Sequence, residues 1–122
     1  MKEGDIILTL LPQAGNVLKR RPALLLRELP PFGDFLVAGV STQTHQAVPG
    51  FDEVISPDDP DFAESGLRAE SIVRLGFLAV LPRRRIMGAI GAISRERRVR
   101  LIRNLCGHLA ANLNQEHAAD GE

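Results

Sequence analysis

Short apolar runs, each closed by glycine or proline, divide most of the chain. DIILTLL (5–11) lies between Gly4 and Pro12, PALLLREL (22–29) stops at Pro30-Pro31, and DFLVAGVSTQ (34–43) follows Gly33 and turns polar at its far end. DEVISP (52–57) is shorter and closes at a proline. SIVRLGFLAVLP (71–82) is longer, with Gly76 placed for a bulge or bend. RIMGAIGAI (85–93), apolar and dotted with glycine, reads as a short strand and a turn rather than a helix. Six strands this short, linked by Gly/Pro turns, predict a small barrel or sandwich. The links are too short for parallel crossovers, so the pairing is expected to be antiparallel.

Only the end of the chain carries a helical period. Ser94 is an N-cap candidate, and Glu96 suits the first turn of a helix. Ile102, Leu105, Cys106, Leu109 and Leu113 then form one apolar stripe. Glu96 and Arg100 are spaced for an i,i+4 pair. Gly107, costly by about 1 kcal/mol inside a helix, is expected to mark a close approach. The tail from Gln115 is expected to fray.

Composition narrows the class. A chain of 122 residues with 44% hydrophobic content is read as one domain spanning 1–122, its core at about 4–113. Fifteen basic residues balance fifteen acids, so net charge names no polyanionic partner. The single cysteine excludes an intramolecular disulfide and fits a reducing cytoplasm. Cys106, on the stripe, is read as a buried structural thiol, and His108 as a partly exposed packing residue. No run approaches the ~20 apolar residues of a membrane span, and the N-terminus is unlike a secretory signal. Charge is nonetheless segregated: residues 52–70 hold seven acids against Arg68, and 83–103 hold eight arginines against Glu96. Such blocks read first as solvated faces, with a binding surface as the sharper alternative.

The usual chemical signatures are missing. His45, His108, His117 and Cys106 lack metal-ligand spacing, and there is no phosphate-binding glycine loop or nucleophile elbow. What remains is an arginine–hydroxyl arrangement. Lys19-Arg20-Arg21 runs as a basic loop through Pro22 into the buried run Ala23–Leu26, and Ser41, Thr42, Gln43 and Thr44 cluster at the polar end of the third strand. Antiparallel pairing across the turn at Pro30–Gly33 brings Arg21 and Ser41-Thr42 to one mouth of the barrel. A guanidinium fork with neighbouring hydroxyls suits a phosphodiester; a solvated loop leading into a strand is the plainer alternative.

The order Gly4-Asp5-Ile6, Arg21-Pro22 before an apolar strand, Val40-Ser41-Thr42-Gln43 at a strand end, and Gly66-Leu67 followed by Ser71-Ile72-Val73-Arg74 resembles the PemK/MazF family of toxin–antitoxin endoribonucleases, from Gly4 to about Leu113. The resemblance implies a mainly β fold, an SH3-like small β-barrel with a C-terminal α-helix, in a homodimer. It implies cleavage of single-stranded RNA without a metal or other cofactor, and an antitoxin partner with an acidic, disordered segment. Carried over by motif, the catalytic residues are Arg21, Ser41 and Arg74. Lys19, Arg20, Thr42 and Gln43 are candidate RNA contacts. The implied mechanism is attack by the RNA 2′-hydroxyl on the adjacent phosphorus, with Arg21 stabilising the anionic phosphorus and Ser41 positioning the phosphate.

Two departures stand out. Gly76 occupies the position where one branch of the family has an aspartate, and the loop PQAGNVLKR (12–20) lacks the family's polar forms and any aromatic residue. With no Trp or Tyr, base stacking falls to Phe32, Phe35, Phe51, Phe62 or Phe77. These departures keep open a non-catalytic RNA-binding or regulatory module on the same barrel. A gyrase poison of the similar CcdB family is disfavoured, because those proteins present a tryptophan near the C-terminus.

Overall fold

The structure, a computed structural model, describes residues 1–12, 15 and 18–113. Six strands form one antiparallel sheet in the order β4-β5-β3-β2-β1-β6. They are β1 (Asp5–Pro12), β2 (Leu18–Leu29), β3 (Asp34–Ser41), β4 (Glu53–Ile55), β5 (Ser71–Leu81) and β6 (Ile86–Ala92). A short helix α1 (Phe62–Ser65), not expected from the sequence, precedes β5, and α2 (Arg95–Ala110) ends the described chain. This is the mainly β, barrel-like architecture with a C-terminal helix that the strand pattern predicts. Among the described residues no helix is long and apolar enough to cross a membrane.

The unbroken run Ala23-Leu24-Leu25-Leu26 is buried throughout because the sheet has a core on each face. Leu24 and Leu26 join Ile6, Ala38, Val40, Leu75 and Leu101 in one cluster, while Ala23 and Leu25 join Ile7, Phe35, Val37 and Leu81 in the other. Alternate side chains of a strand point to opposite faces, so a strand covered on both sides carries no polar alternation.

Several expectations shift. The cations Lys19-Arg20-Arg21 are not a loop: they lie inside β2, paired with Leu11, Leu10 and Thr9 of β1. Pro22 fits within the strand because β2 is paired by β3 only from Ala23 onward; before that point it has β1 alone. Proline, lacking a donor, is tolerated where one side of a strand is unpaired. The third strand ends at Ser41, so Thr42 and Gln43 lie beyond it. Gly76 does sit in a bulge, since Ala38 pairs with Leu78 while the next residue, Gly39, pairs with Arg74. Residues 86–92 are all strand, preceded by a 3-10 turn over Arg83–Arg85.

The helix turns a different face inward than the apolar stripe predicts. Arg97, Leu101 and Leu105 are its buried residues, spaced i, i+4, i+8. Of the expected stripe only Leu105 is fully buried; Leu109, Leu113 and Cys106 are exposed, so Cys106 is no core thiol. Gly107 has open space around it, not a close neighbour. Ser94 caps the helix as expected, its Oγ accepting the Arg97 N–H at 3.2 Å. His108 packs against Phe51 with ring centroids 4.8 Å apart. The expected frayed tail from Gln115 lies outside the described residues.

The charge blocks are not simply solvated, because they meet each other. Arg97 spends all five donors: Nε and Nη2 on Asp61, Nη2 also on Asp59, and Nη1 on Glu53 and the Val54 carbonyl. Arg100 chelates Glu53 through Nε at 2.8 Å and Nη2 at 3.1 Å, in place of the expected partner Glu96. This network ties α2 to the chain between β4 and α1.

Candidate nucleic-acid interface

A cleft opens where β2 and β3 separate. Their pairing runs to Ala23–Gly39 and stops. Beyond that point Arg21 stays with β1 through Thr9, whereas Val40 and Ser41 stay with β5 through Val73 and Ile72. A cavity of about 270 Å³ lies there, lined by Arg21, Ser41, Thr42, Gln43 and Arg74, together with Gly39, Val40, Gln46 and Phe77. A second cavity of about 370 Å³ shares Arg21, Val40, Ser41 and Thr42 and continues past Pro22 to Leu67, Arg68, Ser71 and Ile90. The two form one groove with Arg21, Ser41 and Thr42 at the division between them.

Five of the seven residues singled out from the sequence therefore face one space: Arg21, Ser41, Arg74, Thr42 and Gln43. Lys19 and Arg20 do not line it; they are exposed on β2 farther out, against β1.

Five arginines outside the groove stand in ion pairs. Arg27 and Arg98 share Glu3, Arg83 meets Glu28, and Arg97 and Arg100 hold Glu53, Asp59 and Asp61 between them. Among the described residues no carboxylate stands in an ion pair with Arg21, Arg68 or Arg74. A guanidinium without a carboxylate partner can take a bidentate anion from outside the chain. The Ser41 hydroxyl is also poised: its Oγ accepts the Gln43 backbone N–H at 3.0 Å, which leaves its own proton to donate. Among the described residues lining the two cavities there is no carboxylate and no imidazole.

Two further residues shape the walls, and sequence reasoning missed the first. Asp52 accepts the Val48 N–H through Oδ2 and the Leu75 N–H through Oδ1, both at 2.9 Å. It thereby joins the loop carrying Gln43 and Gln46 to the bulge beside Arg74, and satisfies a strand N–H that the bulge leaves unpaired. Gly66, with φ +75°, lies so close to β6 that a Cβ there would meet the Ile90 carbonyl. It sets the wall of the second cavity. An acid in an acidic block carries no sign of this in sequence, whereas Gly66-Leu67 was visible as part of a motif.

The family model described as "PemK-like, MazF-like toxin of type II toxin-antitoxin system" matches residues 2–109. No curated protein matches the chain significantly.

Proposed function

The chain belongs to the PemK-like, MazF-like toxins of type II toxin–antitoxin systems, and from that membership we propose that it is an endoribonuclease acting on single-stranded RNA in the cytoplasm. One observation carries the reading: Arg21, Ser41 and Arg74, contributed by β2, β3 and β5, line one cavity, and neither arginine is ion-paired among the described residues.

The RNA backbone runs along the groove with the scissile phosphate at its division. The adjacent 2′-hydroxyl attacks phosphorus, the 5′-oxygen leaves, and the products are a 2′,3′-cyclic phosphate and a 5′-hydroxyl. The nucleophile belongs to the substrate, so the route requires no metal. Arg21 stabilises the charge that accumulates on the phosphoryl oxygens, an effect fixed donors supply best when already in place. Ser41 donates to a phosphate oxygen and fixes its position. Arg74 adds a second cation from the opposite wall. Thr42 and Gln43 bind the strand beyond the phosphate, and Lys19 and Arg20 attract it from the outer part of β2.

The active unit is a homodimer. Leu78 and Val80 on β5 and Met87 and Ile90 on β6 are exposed, and an isologous interface would cover them.

A second reading, RNA binding without cleavage, is favoured by Gly76 and by the lack of a carboxylate or imidazole in the described lining. One experiment decides between the two: incubation with a long RNA in EDTA, followed by mapping of the ends. Defined cuts bearing 5′-hydroxyl and cyclic phosphate termini are the expected result. RNA bound but intact supports the second reading, and RNA neither bound nor cut overturns both.

A further inference from the structure

Phe77 stands in the groove for a reason written into two strands. The β5 bulge takes Leu75, Gly76 and Phe77 out of pairing with β3. The ring then packs over Gly39: a Cβ at that position would sit 2.7 Å from Phe77 Cδ1 and 3.3 Å from Cγ. Only a residue without a side chain leaves the ring its place. Phe77 is half-buried, packed at one edge against the Ile7–Leu25–Val37 cluster and bordering the cavity that holds Arg21, Ser41 and Arg74. Of the five phenylalanines it is the only one that lines either of the two groove cavities. Gln43 and Gln46 border the same space, both exposed, and no hydrogen bond engages either side-chain amide among the described residues.

We infer that Phe77 is a stacking platform for a purine base next to the scissile phosphate, with the Gln43 and Gln46 amides bonding the edge of that base. The inference rests on the ribonuclease reading of the groove and adds a recognition subsite to it. The cavity, about 270 Å³, is smaller than the ~300–1,000 Å³ of sites for larger ligands and accommodates a single base. Single-stranded RNA is commonly read by stacking bases on aromatic side chains and bonding their edges. A primary amide offers a donor beside an acceptor and pairs with several base edges, so the amides alone do not choose among bases. Purine over pyrimidine follows from the larger face laid on the ring. The glycine at 76, where one branch of the family carries an aspartate, thus belongs to the bulge that frees Phe77.

The test uses short oligoribonucleotides made uncleavable by a 2′-deoxy substitution at the scissile nucleotide, with 2-aminopurine on one side of it or the other. With the wild-type protein, stacking is expected to quench the fluorophore on one side only. Phe77→Leu keeps an apolar side chain in the cluster. It should lose the quenching and about tenfold in affinity, and Phe77→Tyr should restore both. Gln46→Ala, at an exposed position, should weaken binding by a lost base-edge contact, with quenching retained and no change in melting temperature. An abasic nucleotide at the quenched position should weaken wild-type binding and cost Phe77→Leu nothing further. If RNA is bound and cut while Phe77→Leu matches the wild type in affinity and quenching, the subsite is wrong and the ribonuclease reading stands. If the wild type binds no RNA, both fall.

Discussion

Arg97 and Asp61, 36 positions apart in sequence, hold each other by two bonds: Nε donates to Oδ2 over 2.8 Å and Nη2 to Oδ1 over 3.0 Å. Both side chains are more than nine-tenths buried. The arrangement fixes the start of α2, because Asp61 Oδ2 also accepts the Ser94 N–H at 3.0 Å. Burial alone would disfavour the charge on Arg97, but its bonds to Asp61 and Asp59 raise its pKa on balance.

Stability should therefore fall in acid. The Arg97 bonds hold the Asp61 carboxyl at about 2, below its ordinary 3.8. A depressed folded value means that the stabilisation is complete above the unfolded pKa and disappears as pH drops through the folded one. The window is about pH 4 to 2, and the linkage contributes ~2 kcal/mol for this one group. Asp61→Asn should lower stability by about 2–4 kcal/mol at pH 7 and flatten the acid limb between pH 4 and 2. Urea denaturation of both proteins across that range is the measurement; an unchanged acid limb would contradict the assignment.

Cleavage should separate the two polar residues at the groove division. Arg21 is exposed, so Arg21→Ala should leave the fold intact and reduce single-turnover cleavage by at least ~100-fold, the scale of one lost charge-stabilising donor. Ser41→Ala should cost less, because it removes a neutral donor from a phosphate still held by two arginines. Full-rate cleavage by Arg21→Ala would remove that residue from the mechanism.

Much of the groove was legible because it depends on pairing. The turn at Pro30–Gly33 forced β2 and β3 antiparallel, and that alone placed Arg21 near Ser41. The part that was not legible involves charges acting as core. The buried face of α2 runs Arg97-Leu101-Leu105, and a hydropathy pattern reads an arginine as an outside residue, so it puts the stripe on Cys106 and Leu109 instead. Pro22 is opaque for a related reason: a proline signals a strand boundary unless the neighbouring strand is known to be absent there. Asp52 looked like one acid among seven, and its role depends on a bulge whose geometry sequence does not specify.

Association should follow from the β5 and β6 surface. Val80 is 54% exposed and Met87 51%, and Leu78 and Ile90 on the same two strands are exposed with them. Sedimentation at micromolar concentration should give twice the 13.3 kDa chain mass. Val80→Glu should shift the population toward monomer by placing a charge within the covered patch. A wild-type protein that sediments only as a monomer would show that this surface has another purpose.

Inhibition by the antitoxin should act through the cations proposed as RNA contacts. Arg21, Arg68 and Arg74 lack carboxylate partners among the described residues of this chain, so an acidic segment can supply them from outside. A segment disordered until it binds can follow an extended groove and cover a large surface. Its carboxylates would meet Arg21 and Arg74. Arg83 is a weaker anchor than its place in a run of three arginines suggests. Its guanidinium already lies 3.7 Å from Glu28 and 4.9 Å from the Phe35 ring centroid. Antitoxin and RNA should then exclude each other. The affinity should weaken as salt rises, since exposed charges are screened beyond ~8–10 Å at physiological ionic strength. Arg21→Glu should weaken antitoxin binding more than Arg21→Ala, because repulsion adds to the lost contact. The measurement is displacement of a labelled, uncleavable RNA by the antitoxin at two salt concentrations. A ternary complex with RNA still bound would place the antitoxin on a surface other than the groove.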